Sequence, residues 1–153
     1  MKNSNQNKSD VANLLKEILA DQFLLYTKSR NYHWNVVGPN FYGLHKAFED
    51  LYEGLADDID NVAERIRALG SNAPGTLKEF SKLSSIKESE NNYPDASEML
   101  KEIIADFESV NDKINSSAKK IQDENGDEVT AGMLYSLLEK YEKTLWMYKS
   151  TLG

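Results

Sequence analysis

Residues 41–70 read FYGLHKAFEDLYEGLADDIDNVAERIRALG. At about 100° per residue, with His45 at zero, Leu51, Leu55, Ile59, Val62, Ile66 and Leu69 fall between roughly 240° and 320°. That is the apolar stripe of an amphipathic helix facing a core. On the same scale His45, Glu49, Asp60 and Glu64 fall at about 0°, 40°, 60° and 100°, a second stripe well over 100° from the first. Asn40 can cap this helix, and Gly70 ends it.

The flanking sequence extends the same pattern in both directions. Upstream, a first helix is expected from a cap at Ser9 or Asp10, through Leu14, Leu15, Ile18 and Leu25, to about Val36, where Gly38-Pro39 stops it. Downstream, some two dozen residues separate the second helix from the third, too many for simple antiparallel neighbours. Thr76 and Glu79 have capping-box spacing ahead of Phe80 and Leu83, so this connection can hold a short helix. Asp95 and Glu98 repeat that spacing and open a third long helix with apolar positions Leu100, Ile103, Phe107, Val110, Ile114, Ala118 and Ile121. The loop DENGDE leads to a fourth with Leu134, Leu137, Tyr141, Leu145 and Tyr148 on one side. Two helix pairs joined by one long crossover give an all-α, ferritin-like four-helix bundle with a short extra helix in the crossover. The bundle is expected over residues 10–153, behind a flexible tail of residues 1–9.

Composition sets the outer limits. The chain has 153 residues and is 40% hydrophobic, enough for one domain with a real core. It contains no cysteine, so disulfides and thiolate metal sites are excluded, consistent with a reducing cytoplasm. No apolar run approaches the roughly 20 residues of a membrane span. The residues MKNSNQNKSD lack the apolar centre of a secretion signal. A net charge of −7 favours cations over nucleic acid as partners of the surface.

The second stripe carries the chemistry. His45–Glu49 and Asp60–Glu64 are both i,i+4 pairs, each able to grip one ion. Fifteen residues separate His45 from Asp60, roughly 22 Å along a helix, so one ion cannot touch both pairs of one chain. Two copies of this helix packed antiparallel would bring one pair of each against the other pair of its mate, in two equivalent sites. Ala56 and Ala63 lie between the pairs and permit close approach. Imidazole with carboxylates suits iron, zinc or manganese, and the oxygen-rich set favours an oxidisable hard ion such as iron. A di-iron centre inside the bundle needs Glu-x-x-His on a core face. Here Arg30 stands three before His33 and Tyr42 three before His45. Charged residues opposite a core are more often solvated surface than ligands, and periodicity alone leaves the function open.

The stretch RNYHWNVVGPNFYGLHKAFEDLYEGLADDIDNVAERIRALG, residues 30–70, resembles the signature region of the Dps family, the DNA-binding proteins from starved cells. The His-Trp pair, the Gly-Pro turn, Leu-His with an acid four residues on, and Asp-x-x-x-Glu-Arg carry the likeness. GDEVTA and the ending EKTLWMYKSTL extend it over nearly the whole chain. The resemblance implies a homo-dodecameric shell with ferroxidase sites at its two-fold interfaces. The family's ligands map onto His33, His45 and Glu49 of one subunit and Asp60 and Glu64 of its mate. Many members have aspartate at the position of Glu49, which is one methylene longer. The implied activity is oxidation of Fe(II) by hydrogen peroxide in preference to oxygen, with ferric oxide stored in the cavity. Zinc is a further occupant in vitro. Trp34 is similar to the family tryptophan that intercepts stray oxidising equivalents, and equally reads as an interface residue.

Asp123, Glu124, Asp127 and Glu128 flank Gly126 where similar proteins line a three-fold pore with acids. They read equally as a solvated turn with capping acids. The tail offers only Lys2 and Lys8 against Asp10, and twelve chains at −7 repel phosphates strongly. DNA condensation with secondary iron binding is therefore the alternative, behind iron oxidation and storage. A helical binding module without redox chemistry is the third reading.

Overall fold

The protein is described by a computed structural model covering residues 3–153, in which five α-helices account for most of the chain. They are α1 (Ser4–Asn35), α2 (Phe41–Ala68), the short α3 (Leu77–Leu83), α4 (Ala96–Lys120) and α5 (Glu128–Leu152). A π-helical turn over Ile121–Asn125 joins α4 to α5.

Local sequence sets most of the helix ends. At the end of α2 the N–H of Gly70 bonds the Arg67 carbonyl and that of Ser71 bonds the Ile66 carbonyl. This double closure needs a left-handed residue, supplied by Gly70 at φ +87°. Thr76 and Glu79 form the reciprocal capping box of α3, and Asp95 accepts from the Glu98 N–H at 2.9 Å to start α4. Asn40 holds the cap position of α2, but its side chain makes no capping bond.

The start of α1 differs from the sequence expectation. It lies at Ser4 rather than near Asp10, with the Asn3 side chain accepting from the Asn5 N–H. Residues 4–9 are therefore helical turns. They carry no apolar periodicity because they project along solvent, steadied by Gln6 donating to Asp10 at 2.9 Å and by Asn125 reaching Asn7. Lys2, one of the two tail lysines, lies outside the described residues.

Cross-links fix the topology. Asp21–Lys113, Lys28–Asp106 and Tyr32–Glu102 step down α1 as they step up α4, so these helices run antiparallel. Ala47–Tyr148, Asp58–Lys140 and Arg65–Thr130 show the same for α2 and α5. α1 and α2 form one hairpin and α4 and α5 the other, with α3 in the crossover packed on α1. The centre is filled by fully buried Leu15, Ile18, Leu25, Phe48, Leu55, Ile66, Ile103, Phe107, Ile114 and Tyr141. Each contributes on the order of 1.5–3 kcal/mol by leaving water.

The bundle core is not wholly apolar. Gln22 donates to the Tyr141 hydroxyl at 2.8 Å, and Lys140 reaches the buried Asp58 at 2.7 Å. Burial pushes the Tyr141 phenol well up, and the charge of Asp58 adds to this, so Tyr141 stays protonated.

Asp127 is the cap of α5. It accepts from the Thr130 N–H at 2.9 Å and from its hydroxyl, and it pairs with Arg65 at 3.2 Å. Burial pushes the carboxyl up, but the Thr130 bonds and the Arg65 guanidinium outweigh it and hold the group below the usual range. A depressed folded pKa gives stability that is present above the unfolded value of about 3.9 and lost as pH falls through the folded one. Asp127→Asn, which can still cap but loses the charge, should thus cost about 0.5–1 kcal/mol at neutral pH. The deficit should shrink in denaturation curves taken below about pH 4.

Candidate metal centre

His33 sits in the last turn of α1 and His45 in the first turns of α2, and the tight Gly38-Pro39 connection brings them face to face. Their rings stack with centroids 3.7 Å apart and 16° between planes. Each Nδ1 lies 2.7 Å from the backbone carbonyl of the other histidine's residue. A carbonyl oxygen can only accept, so both Nδ1 atoms carry the proton. The Nε2 of each ring is then left with its lone pair, the form in which imidazole binds metal. Phe41 stacks on the outer side of His45 at 5.0 Å, and Tyr52 meets His33 edge-on at 5.3 Å. His33 is only 9% exposed, so these contacts hold both rings in orientation.

Glu49 follows His45 by one helical turn and is half-buried. The Lys46 ammonium is shared between Asp50 at 2.8 Å and Glu49 at 3.4 Å, which leaves Glu49 the looser of the two partners. Asp60 and Glu64 are exposed on the same side of α2, four turns further along. Among the described residues neither makes a hydrogen bond or an ion pair. Exposed Ala56 and half-buried Ala63 occupy the surface near them. The structure therefore pairs His33 with His45 near the start of α2, sets Glu49 one turn beyond them, and leaves Asp60 and Glu64 further along the helix. Among the described residues no three metal-ligating side chains converge within one chain.

Trp34 is 67% exposed beside His33, and its indole lies under the Arg30 guanidinium. Of the four turn acids, Asp123, Glu124 and Glu128 are exposed, whereas Asp127 is turned to Thr130 and Arg65. Sequence reading missed Asp58 and the cluster around Arg30. Asp58 stands at about 220° on the helical scale, one position outside the apolar stripe, and a lone acid there signals a partner on a neighbouring helix. Arg30 offered a signal that was not taken up, its i,i+4 spacing from Tyr26 and to Trp34. Tyr26 and Trp34 stand one turn either side of it on α1, and the α1–α2 hairpin adds Tyr52.

The comparisons with known proteins agree with this fold. Residues 12–153 match the ferritin-like domain family. The chain is 37% identical over 140 residues to the DNA protection during starvation protein of Helicobacter pylori, covering 92% of this chain and 96% of that protein. It is 38% identical over 142 residues to the protein of the same name from Brevibacillus brevis, covering 93% and 94%. The crystal structure of a Dps protein from Bacillus brevis superposes with a TM-score of 0.92 at 36% identity, covering all of both chains. An all-helical, ferritin-like bundle with this degree of likeness over its whole length leaves one assignment: the chain belongs to the Dps group of the ferritin-like family.

Proposed function

We propose that this protein binds Fe(II) at sites shared between two antiparallel copies of α2, oxidises it with hydrogen peroxide faster than with oxygen, and stores ferric oxide in a twelve-chain cytoplasmic shell. The observation that carries the reading is the His33–His45 pair. Reciprocal bonds to backbone carbonyls hold both imidazoles in the tautomer that offers Nε2, beside a carboxylate one turn away. In this reading His33, His45 and Glu49 meet Asp60 and Glu64 of a second copy across the alanine-lined surface of α2. Anionic oxygen ligands stabilise Fe(III) over Fe(II) and so favour oxidation. Two Fe(II) ions give one electron each to one peroxide, which takes up two protons and leaves as two waters, with no hydroxyl radical released. Zinc fits the same ligand types but supplies no electron. Asp123, Glu124 and Glu128 of three copies would focus Fe(II) toward an entry pore, while Asp127 stays committed to its cap.

Fe(II) and peroxide added to the metal-free protein should give a soluble ferric core, with Fe(II) consumed faster by peroxide than by air. Equal rates with the two oxidants, or precipitation as in buffer alone, would count against the peroxide reading.

A second reading is favoured by one observation, that the relatives are named for DNA protection. Here the charge argues otherwise: phosphate neutralisation needs clustered cations, and the first ten residues of the sequence offer only Lys2 and Lys8. In a gel-shift assay at near-physiological salt the particle should leave duplex DNA unretarded. Retardation abolished by Lys2→Ala with Lys8→Ala would reverse that conclusion.

A further inference from the structure

Three oxidisable rings face one charge, and one of them, Tyr52, lies against the candidate ligand His33. The Arg30 guanidinium lies 4.2 Å from the centroid of Tyr52, 5.4 Å from that of Tyr26 and 5.8 Å from that of Trp34. Tyr52 meets Tyr26 edge-on at 6.2 Å and His33 at 5.3 Å, so these two phenols run on from the proposed iron site, and Trp34 joins them through Arg30. Among the described residues no carboxylate pairs with Arg30. Its charge is therefore spent on the rings rather than neutralised.

The geometry points to Arg30 as a positioning residue that sets how easily Tyr26, Tyr52 and Trp34 surrender an electron. A cation over an aromatic face attracts the neutral ring's electron-rich face. It repels the positive charge that appears when an electron leaves. Removing an electron from any of the three is thus made harder by the same fixed group. The inference rests on the proposed iron chemistry, because it is there that oxidants arise beside His33. A site holding only one Fe(II) can give peroxide a single electron, which splits it into hydroxide and a hydroxyl radical and leaves Fe(III). The radical can take one electron and one proton from an indole N–H or a phenol O–H, giving water and a neutral ring radical. With Arg30 in place this loss is slowed, and a second Fe(II) competes better as the electron donor. The rings then act as donors of last resort, guarded while iron is available.

The charge can be tested without iron. Chlorine dioxide is a neutral one-electron oxidant. It takes an electron from indole to give chlorite, and the ring loses its proton to water. Its encounter rate is insensitive to the charge of the protein. In the assembled Trp146→Phe protein, Trp34 is the remaining tryptophan, and stopped-flow loss of its fluorescence reports its oxidation. Added Arg30→Gln should accelerate that loss about fivefold, whereas Arg30→Lys, which keeps the charge, should stay within about twofold of the parent. Circular dichroism and particle mass establish that each variant is folded and assembled. Equal rates in all three proteins would overturn the proposal. Equal acceleration by Gln and Lys would overturn it too, since lost packing would then be the cause. Fe(II) oxidation by the same variants reports separately on the iron site, so failure of that reading stays distinguishable.

Discussion

Particles carrying His33→Ala, His45→Ala and Glu49→Ala together should assemble but lose rapid Fe(II) oxidation. So should particles carrying Asp60→Ala with Glu64→Ala. Loss of a group that merely orients a ligand costs roughly 10–100-fold, and removal of the ligands themselves should exceed that. The informative result comes from co-expression. In a mixed two-fold dimer one site combines both damaged halves, and the other combines both intact halves. With random pairing half the dimers are mixed and each keeps one of its two sites, so activity should return to about a quarter of wild type. The structure motivates the experiment: His45 and Asp60 stand on one unbroken helix, roughly 22 Å apart. Mass spectrometry must first establish that mixed particles form. If they form and remain inactive, the two pairs do not share an ion, and the shared-site reading is wrong.

Much of this was legible in the sequence because it follows from short-range rules. The apolar stripe of α2, the Gly70 stop, the Thr76–Glu79 box and the Asp95 cap each depend on residues within one or two turns. The two-dozen-residue gap between α2 and α4 implied the crossover. The pairs His45–Glu49 and Asp60–Glu64 could be named as candidates for the same reason, since i,i+4 spacing on a helix places side chains without tertiary knowledge, whereas His33 entered only through the family resemblance. What escaped depends on long-range contact. The early start of α1 is set by its polar turns lying against Asn125, far away in sequence. The reciprocal hydrogen bonds of His33 and His45 depend on how tightly the Gly38-Pro39 turn folds α2 back on α1. Asp127 read equally as a pore acid, by resemblance, and as a capping acid; it caps α5, and the pairing with Arg65 on α2 is the part that local sequence did not announce. Ile59, expected in the core stripe, is only partly buried, while Asp58 beside it goes in because Lys140 awaits it.

Lys113→Met should be among the most destabilising single substitutions outside the apolar core, costing about 3–5 kcal/mol. Asp21 is fully buried in α1 and gathers the crossover onto the bundle. It accepts from the Ser84 hydroxyl at 2.7 Å, the Ser85 N–H at 2.8 Å and the Lys113 ammonium at 2.5 Å. The two members of the ion pair are not equivalent. Lys113 is partly exposed, so when Asp21 is removed the ammonium can turn to water, as can the serines on the exposed crossover. When Lys113 is removed, the carboxylate stays buried with neutral donors only, and burying an uncompensated charge is the costlier error. Asp21→Leu alone should therefore be milder than Lys113→Met. The double variant should recover most of the loss, because an apolar pair of similar volume tolerates burial. Chemical denaturation at equal protomer concentration measures the three values and their coupling. In Asp21→Leu, hydrogen exchange should quicken at residues 77–86 before anywhere in α2, since the anchor of the crossover is gone but the ligand-bearing helix is untouched. Equal losses in both single variants with no recovery in the double would show that the donors on Ser84 and Ser85, rather than the charge on Lys113, hold the crossover down.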